Sequence, residues 1–84
     1  RVVGAATQPQ AIPYRVNMTL LDVMIRVGGL TEFAAGDRAK LIRVVDGEQE
    51  EFDVEIDSLV RDGEISENVA MRPGDVLIIP ETFL

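Results

Sequence analysis

Chemistry in this chain would have to come from carboxylates. The 84 residues include 15 Asp and Glu but no Cys and no His. That removes thiolate nucleophiles, disulfides, zinc sites built on sulfur or imidazole, cysteine-held iron–sulfur clusters and any triad with a histidine base. A glycosidase-like pair of acids needs a cleft and a separation of roughly 5 to 9 Å. So acidic a chain contains such pairs by chance, and nothing in the sequence marks one as buried or tuned. The row Glu51, Asp53, Glu55 invites a cation-site reading. It alternates with Phe52, Val54 and Ile56, however, which is the pattern of a solvated sheet face. Gly28-Gly29 follows a helical pattern instead of opening one, so there is no phosphate loop. We read the chain as non-catalytic, with no metal and no cofactor.

What remains is binding. Sugar recognition commonly uses an aromatic face with polar hydrogen-bonding groups around it. The aromatics are Tyr14, Phe33, Phe52 and Phe83. Phe52 is in register with the core, and Tyr14 alternates inward on its strand. Phe33 and Phe83, in a loop and a tail, are the exposed candidates. Arg38, Arg43 and Arg72 can meet carboxylates of a partner or of an anionic sugar, although surface ion pairs are their plainer use.

The formal charge is −7, with 8 basic residues against the acids. Phosphate binding depends on clustered Lys and Arg, so nucleic acid and anionic membrane surfaces are repelled. Such acidity serves solubility first and a cationic partner second. No apolar run reaches the roughly 18 residues that would cross a bilayer. A hydrophobic fraction of 46% supports one folded core, so residues 1–84 are expected to form a single domain. Arg1 runs straight into Val2-Val3, and the expectation is a domain cut from a longer protein.

These candidates need elements to hold them. Val2–Ala6 reads as a small-residue strand whose glycine signals a bulge or a close backbone approach. Thr7–Gln10 is a turn, after which Ile12, Tyr14 and Val16 alternate as a half-buried edge strand pairing back on the first. Thr19-Leu20-Leu21-Asp22 has capping-box spacing and opens the main helix. Leu20, Val23, Met24 and Val27 form its apolar face, Leu21 and Ile25 widen it, and Gly28-Gly29 ends it. Leu30–Ala39 is a loop. Lys40–Val45 and Glu48–Ile56 flank Asp46-Gly47, a hairpin turn signal. Residues 57–61 allow one helical turn. Arg72-Pro73-Gly74-Asp75 is a tight turn, and its Asp side chain is expected to cap it. Val76-Leu77-Ile78-Ile79 then lacks alternation, which marks a central strand covered on both faces. A closing central strand, parallel to the first, with one helix across the sheet, gives an α+β, β-grasp fold with a mixed sheet. A ferredoxin of this shape would need cysteines, and a ubiquitin-like carrier a terminal Gly-Gly, and the chain has neither.

Four segments in order carry a resemblance. They are Val3-Gly4-Ala5 with Pro9 and Tyr14, Thr19–Asp22 through Gly28-Gly29-Leu30-Thr31, Ala35-Gly36-Asp37-Arg38 with Ile42-Arg43, and Asn68 with Arg72–Val76 and Pro80. Together they resemble the soluble ligand-binding β-grasp domain of bacterial polysaccharide export proteins. Gln10, where that family has glycine, and Val27, where it has alanine, depart from its pattern. The resemblance implies a periplasmic module of an outer-membrane-associated exporter, anchored by other parts of the full protein. It further implies contact with neighbouring exporter subunits, polysaccharide and the inner-membrane polysaccharide copolymerase. The ligand-binding candidates are then Tyr14, Phe33, Arg38, Arg43, Asn68 and Arg72. The alternative is a β-grasp carrier of a small ligand or a protein-docking module of another system. Alone, the domain is expected to be monomeric.

Overall fold

A computed structural model describes residues 1–82. The elements run β1 (Val2–Gly4), α1 (Leu20–Arg26), β2 (Ala39–Val45), β3 (Glu48–Val54), α2 (Ile56–Val60) and β4 (Val76–Ile79), with short 3-10 turns at Gly36–Arg38 and Ile65–Glu67. One mixed sheet has the order β1-β4-β2-β3. Strand β4 is central, parallel to β1 and antiparallel to β2, as its unbroken apolar run predicts, but only one of its faces is covered, since Ile78 is exposed on the other. This is the expected α+β, β-grasp-like arrangement.

Local chemistry accounts for most of these boundaries. Thr19 is extended at φ −115° and its hydroxyl accepts the Asp22 N–H, while the Asp22 carboxylate accepts the Thr19 N–H at 2.9 Å. Both halves of the capping box are therefore made, which is worth about 1 kcal/mol. Leu20, Val23, Met24 and Val27 are buried. They meet Leu41, Leu77 and Ile79 in one core. The Gly29 N–H bonds back to the Met24 carbonyl and closes the helix. Between β2 and β3, Asp46 (φ 52°) and Gly47 (φ 81°) take the left-handed conformations of a two-residue hairpin turn.

The turn before β4 is organised around one carboxylate. The Asp75 N–H donates to the Arg72 carbonyl, and the Asp75 Oδ2 accepts the Arg72 N–H at 2.8 Å. The side chain thus caps its turn, as expected, but it does more. Arg43 Nε donates to Oδ1 at 3.0 Å, and an Arg43 terminal nitrogen donates to Oδ2 at 2.8 Å. That bidentate pair ties β2 to the entry of β4. Burial, the largest influence on Asp75, pushes its pKa up. The bonds from Arg43 and the Arg72 N–H outweigh it and leave the carboxyl below its ordinary value.

Four expectations need correction. Residues 12–16 form no strand. Pro9 and Pro13 supply no N–H for a ladder, and the free edge of β1 receives a single bond, from Val2 N–H to the Gln10 carbonyl. Tyr14 is consequently exposed instead of packed inward. Ile25 does not widen the buried helix face, because it points to solvent. Phe52 sits on the core-facing side of β3, yet that edge strand extends beyond the helix cover, so its ring is exposed under the Arg43 guanidinium at 5.6 Å. Ile56 leaves the strand and opens α2, fully buried.

Two stability predictions follow from these contacts. A Cβ on Gly4 would lie 2.1 Å from the Ile79 carbonyl oxygen, and Gly4 has φ +100°, whereas Gly47 has open space around it. Gly4→Ala should cost about 3 kcal/mol in urea unfolding and Gly47→Ala about 1 kcal/mol. Equal losses would mean that the β1–β4 approach is not constrained. Asp75→Asn leaves Arg43 without its counter-charge and should cost about 3 kcal/mol at neutral pH. The folded pKa of Asp75 lies below its ordinary 3.8, so the stability it gives is complete above that value. It is lost as the pH falls through the folded value. Wild type and variant should therefore converge in acid, and a gap that persists at low pH would assign the loss to packing.

Candidate functional site

Three of the depressions on the described surface bear on the candidate residues or on their chain neighbours. The smallest, about 50 Å³, lies between β1, the segment before α1 and the Asp75 turn, and it brings Tyr14 and Arg72 together. Ile12, Met18, Val23 and Met71 supply its apolar wall. An exposed phenol and an exposed guanidinium beside an apolar wall offer a stacking surface and charge-assisted donors. The arrangement suits the edge of a polar chain better than a small molecule held within the fold. Pockets that enclose small molecules span roughly 300 to 1,000 Å³.

The fold sets these two side chains side by side through separate devices. The turn Arg72–Asp75, with Gly74 at φ 84°, is held by the buried Asp75 carboxylate. Tyr14 precedes a turn closed by the bond from the Met18 N–H to the Arg15 carbonyl at 3.1 Å, where the positive φ of 65° at Asn17 redirects the chain into the helix cap. A bond from the Met71 N–H to the Met18 carbonyl at 2.9 Å joins the two segments directly.

Other sequence candidates fall elsewhere. Asn68 is half-buried, and its side-chain oxygen accepts the Leu21 N–H at 2.9 Å, filling one of the open donors at the start of α1. Arg43 is committed to Asp75 and to the Ala70 carbonyl. Neither lines the Tyr14–Arg72 cleft; Arg43 bears on it only through Asp75, which does. Phe33 is exposed and lines none of the three depressions. Phe83 lies outside the described residues.

Arg38 lines a second depression of about 420 Å³ with Lys40, Asp37, Asp53, Glu55 and Glu67. Lys40 pairs with Asp53 there. The Glu67 carboxylate beside it pushes the pKa of Glu55 up by like-charge repulsion. Among the described residues no three acidic side chains are grouped to hold a metal ion. Asp37 is also engaged, since it accepts from the Ser58 N–H at 2.9 Å and the Ser58 hydroxyl at 2.8 Å. It caps α2 from the neighbouring 3-10 turn.

Sequence reasoning did not find the third depression, about 330 Å³, lined by Arg15, Val16, Met18, Ile25 and Arg26. The available signal was Val16 on a segment too rich in proline to pair. The misassigned strand hid it.

The SLBB domain model matches residues 1–53, which span β1, α1, β2 and nearly all of β3. That stretch contains Tyr14, the capping box, the Gly28-Gly29 stop and the 3-10 turn at Arg38. Strand β4 lies beyond the matched residues and completes the same sheet. With more than half of its length matched, the chain belongs to the SLBB domain family, a family of ligand-binding modules.

Proposed function

We propose that this chain is a non-catalytic binding and assembly module of a bacterial polysaccharide exporter, working on the periplasmic side. Family membership supports the binding role. The export context rests on the ordered segments from Val3-Gly4-Ala5 to Pro80 that resemble exporter domains. The observation that carries the reading is the juxtaposition of Tyr14, on the segment before α1, with Arg72 on the turn that Asp75 holds. It forms a shallow polar edge with an apolar wall, and the carboxylate that lines it, Asp75, is already engaged by Arg43 and the Arg72 N–H. A shallow edge holds a passing chain weakly, as transport requires, because ligand that is enclosed leaves slowly. In this reading Arg38 and Phe33 extend the contact surface. Neighbouring exporter subunits and the inner-membrane copolymerase are the protein partners. Carriage of a small ligand is the weaker reading, since the Tyr14–Arg72 cleft encloses only about 50 Å³.

Titration of the isotope-labelled chain with fragments of the host's exported polysaccharide tests this. Amide shifts should cluster at Tyr14 and Met71–Arg72, with smaller ones at Arg38. Tyr14→Ala and Arg72→Ala should each weaken binding by about 1 kcal/mol, a factor of about five, without altering thermal stability. An unshifted spectrum at millimolar sugar removes the polysaccharide contact. Tight binding of a cofactor-sized molecule would move the chain to the small-ligand reading.

A further inference from the structure

Strand β4 is apolar at every position, the pattern of a strand buried on both faces, yet the structure covers only one. Leu77 and Ile79 enter the core, while Ile78 remains 40% exposed on the other face. Register places Val3 beside Ile78 and Ile78 beside Lys40 in one cross-strand row. The next row holds Val76, Ile42 and Glu51. Val44, 70% exposed, extends the same face. The result is an apolar band across three strands. Lys40 offsets Asp53 at its rim, leaving Glu51 as excess negative charge.

The opposite side of the molecule carries the complement. Helix α1 lies on the core face of the sheet, so its outer surface points away from the open face. There Val16 is 82% exposed and Ile25 70% exposed. They share the 330 Å³ groove with Arg15 and Arg26. Neither arginine belongs to any of the described ion pairs, although the chain carries 15 acids. The groove's one carboxylate, Asp22, is engaged by the Thr19 N–H and hydroxyl. An apolar patch with excess positive charge therefore faces away from an apolar band with excess negative charge.

We infer that the open sheet face of one copy of this chain docks the Arg15–Val16–Ile25–Arg26 groove of a second copy, head to tail. The inference rests on the assembly part of the function proposed above and names the surfaces that would carry it. Two different patches on opposite sides make a heterologous contact, which propagates from copy to copy and closes only if the rotation per step allows a ring. Because each copy carries −7, long-range repulsion opposes the encounter. The contact is therefore weak and reversible for free chains, and the dilute chain is monomeric.

Sedimentation velocity of the chain from about 20 µM to about 2 mM, in about 0.15 M salt, tests this. The weight-average mass should rise continuously with concentration, with amide shifts confined to the two patches. Val16→Ser with Ile25→Ser removes the groove's apolar floor, and Val44→Ser with Glu51→Lys spoils the sheet face. All four positions are exposed, so the fold should survive, and far-ultraviolet circular dichroism verifies it. Each double variant should self-associate at least about tenfold more weakly. An equimolar mixture of the two retains one intact groove and one intact sheet face, and it should stop at a heterodimer. A chain that stays monomeric throughout overturns the inference, as does a closed symmetric dimer or association that the variants leave unchanged. Adding polysaccharide fragments separates this from the export reading. A monomeric chain that still shifts at Tyr14 and Arg72 loses the head-to-tail contact and keeps the sugar contact. Association without sugar shifts does the reverse.

Discussion

The Asp75 carboxylate is the constraint on which the rest of this fold depends. Its two oxygens receive Arg43 and the Arg72 N–H, while its backbone carbonyl accepts the Arg1 nitrogen at 3.0 Å. Arg43 also donates to the Ala70 carbonyl, and Ala70 bridges Thr19 at the start of α1. One ion pair thereby fixes the hairpin, the closing turn, the first strand and the helix start relative to one another. Burying a charge is costly, and an ion pair repays that cost only when its remaining donors and acceptors are satisfied. Here both oxygens are. The Arg43 side chain also stays partly open, at 13% exposure, which limits its own desolvation.

This explains how a short, acidic domain holds a central strand of four residues. The parallel β1–β4 pairing is only three residues long, and Gly4 lets the two backbones meet where a side chain would collide. So short a ladder contributes little by itself. The ion pair and the turn hold β4 in register, and Leu77 and Ile79 then contribute their burial, roughly 2 kcal/mol each. The Tyr14–Arg72 edge inherits this rigidity, because Arg72 is the residue whose N–H the carboxylate holds.

Most of the fold was legible in the sequence because local chemistry decides it. The capping box at Thr19 and Asp22, the Asp46-Gly47 turn and the Pro73-Gly74 turn each satisfy nearby backbone groups, and β4's apolar run announces its central place. What failed were features decided at a distance. Alternation at Ile12, Tyr14 and Val16 looked like a strand, but a strand needs a partner with donors and acceptors in register, and the two prolines break the ladder. Ile25 fits a helical stripe, yet α1 has only seven residues and the core beneath it is filled by Leu20, Val23, Met24 and Val27. The pairing of Arg43 with Asp75, 32 residues apart, has no local trace. Of the candidate site, Tyr14 and Arg72 were both legible as residue types. Their adjacency was not, because it depends on the segment before α1 leaving the sheet.

Many of the carboxylates hold structure together in a chain whose family serves binding. Asp22 caps α1, Asp37 caps α2 from the neighbouring 3-10 turn, Asp57 returns a bond to the Asp37 N–H, and Asp75 anchors the closing turn. Each accepts backbone N–H groups that a short element leaves open, and short elements dominate here, since neither helix exceeds seven residues. The acids of β3 instead line an edge strand. There charge discourages further strand pairing, which an unprotected edge would invite. Carboxylates committed to backbone donors or to protecting an edge are poor candidates for proton transfer, which requires a tuned group facing a substrate. The acidity of this chain is thus largely a consequence of building a sheet and two short helices from few residues. The surfaces left for recognition are those where acids are few or already paired.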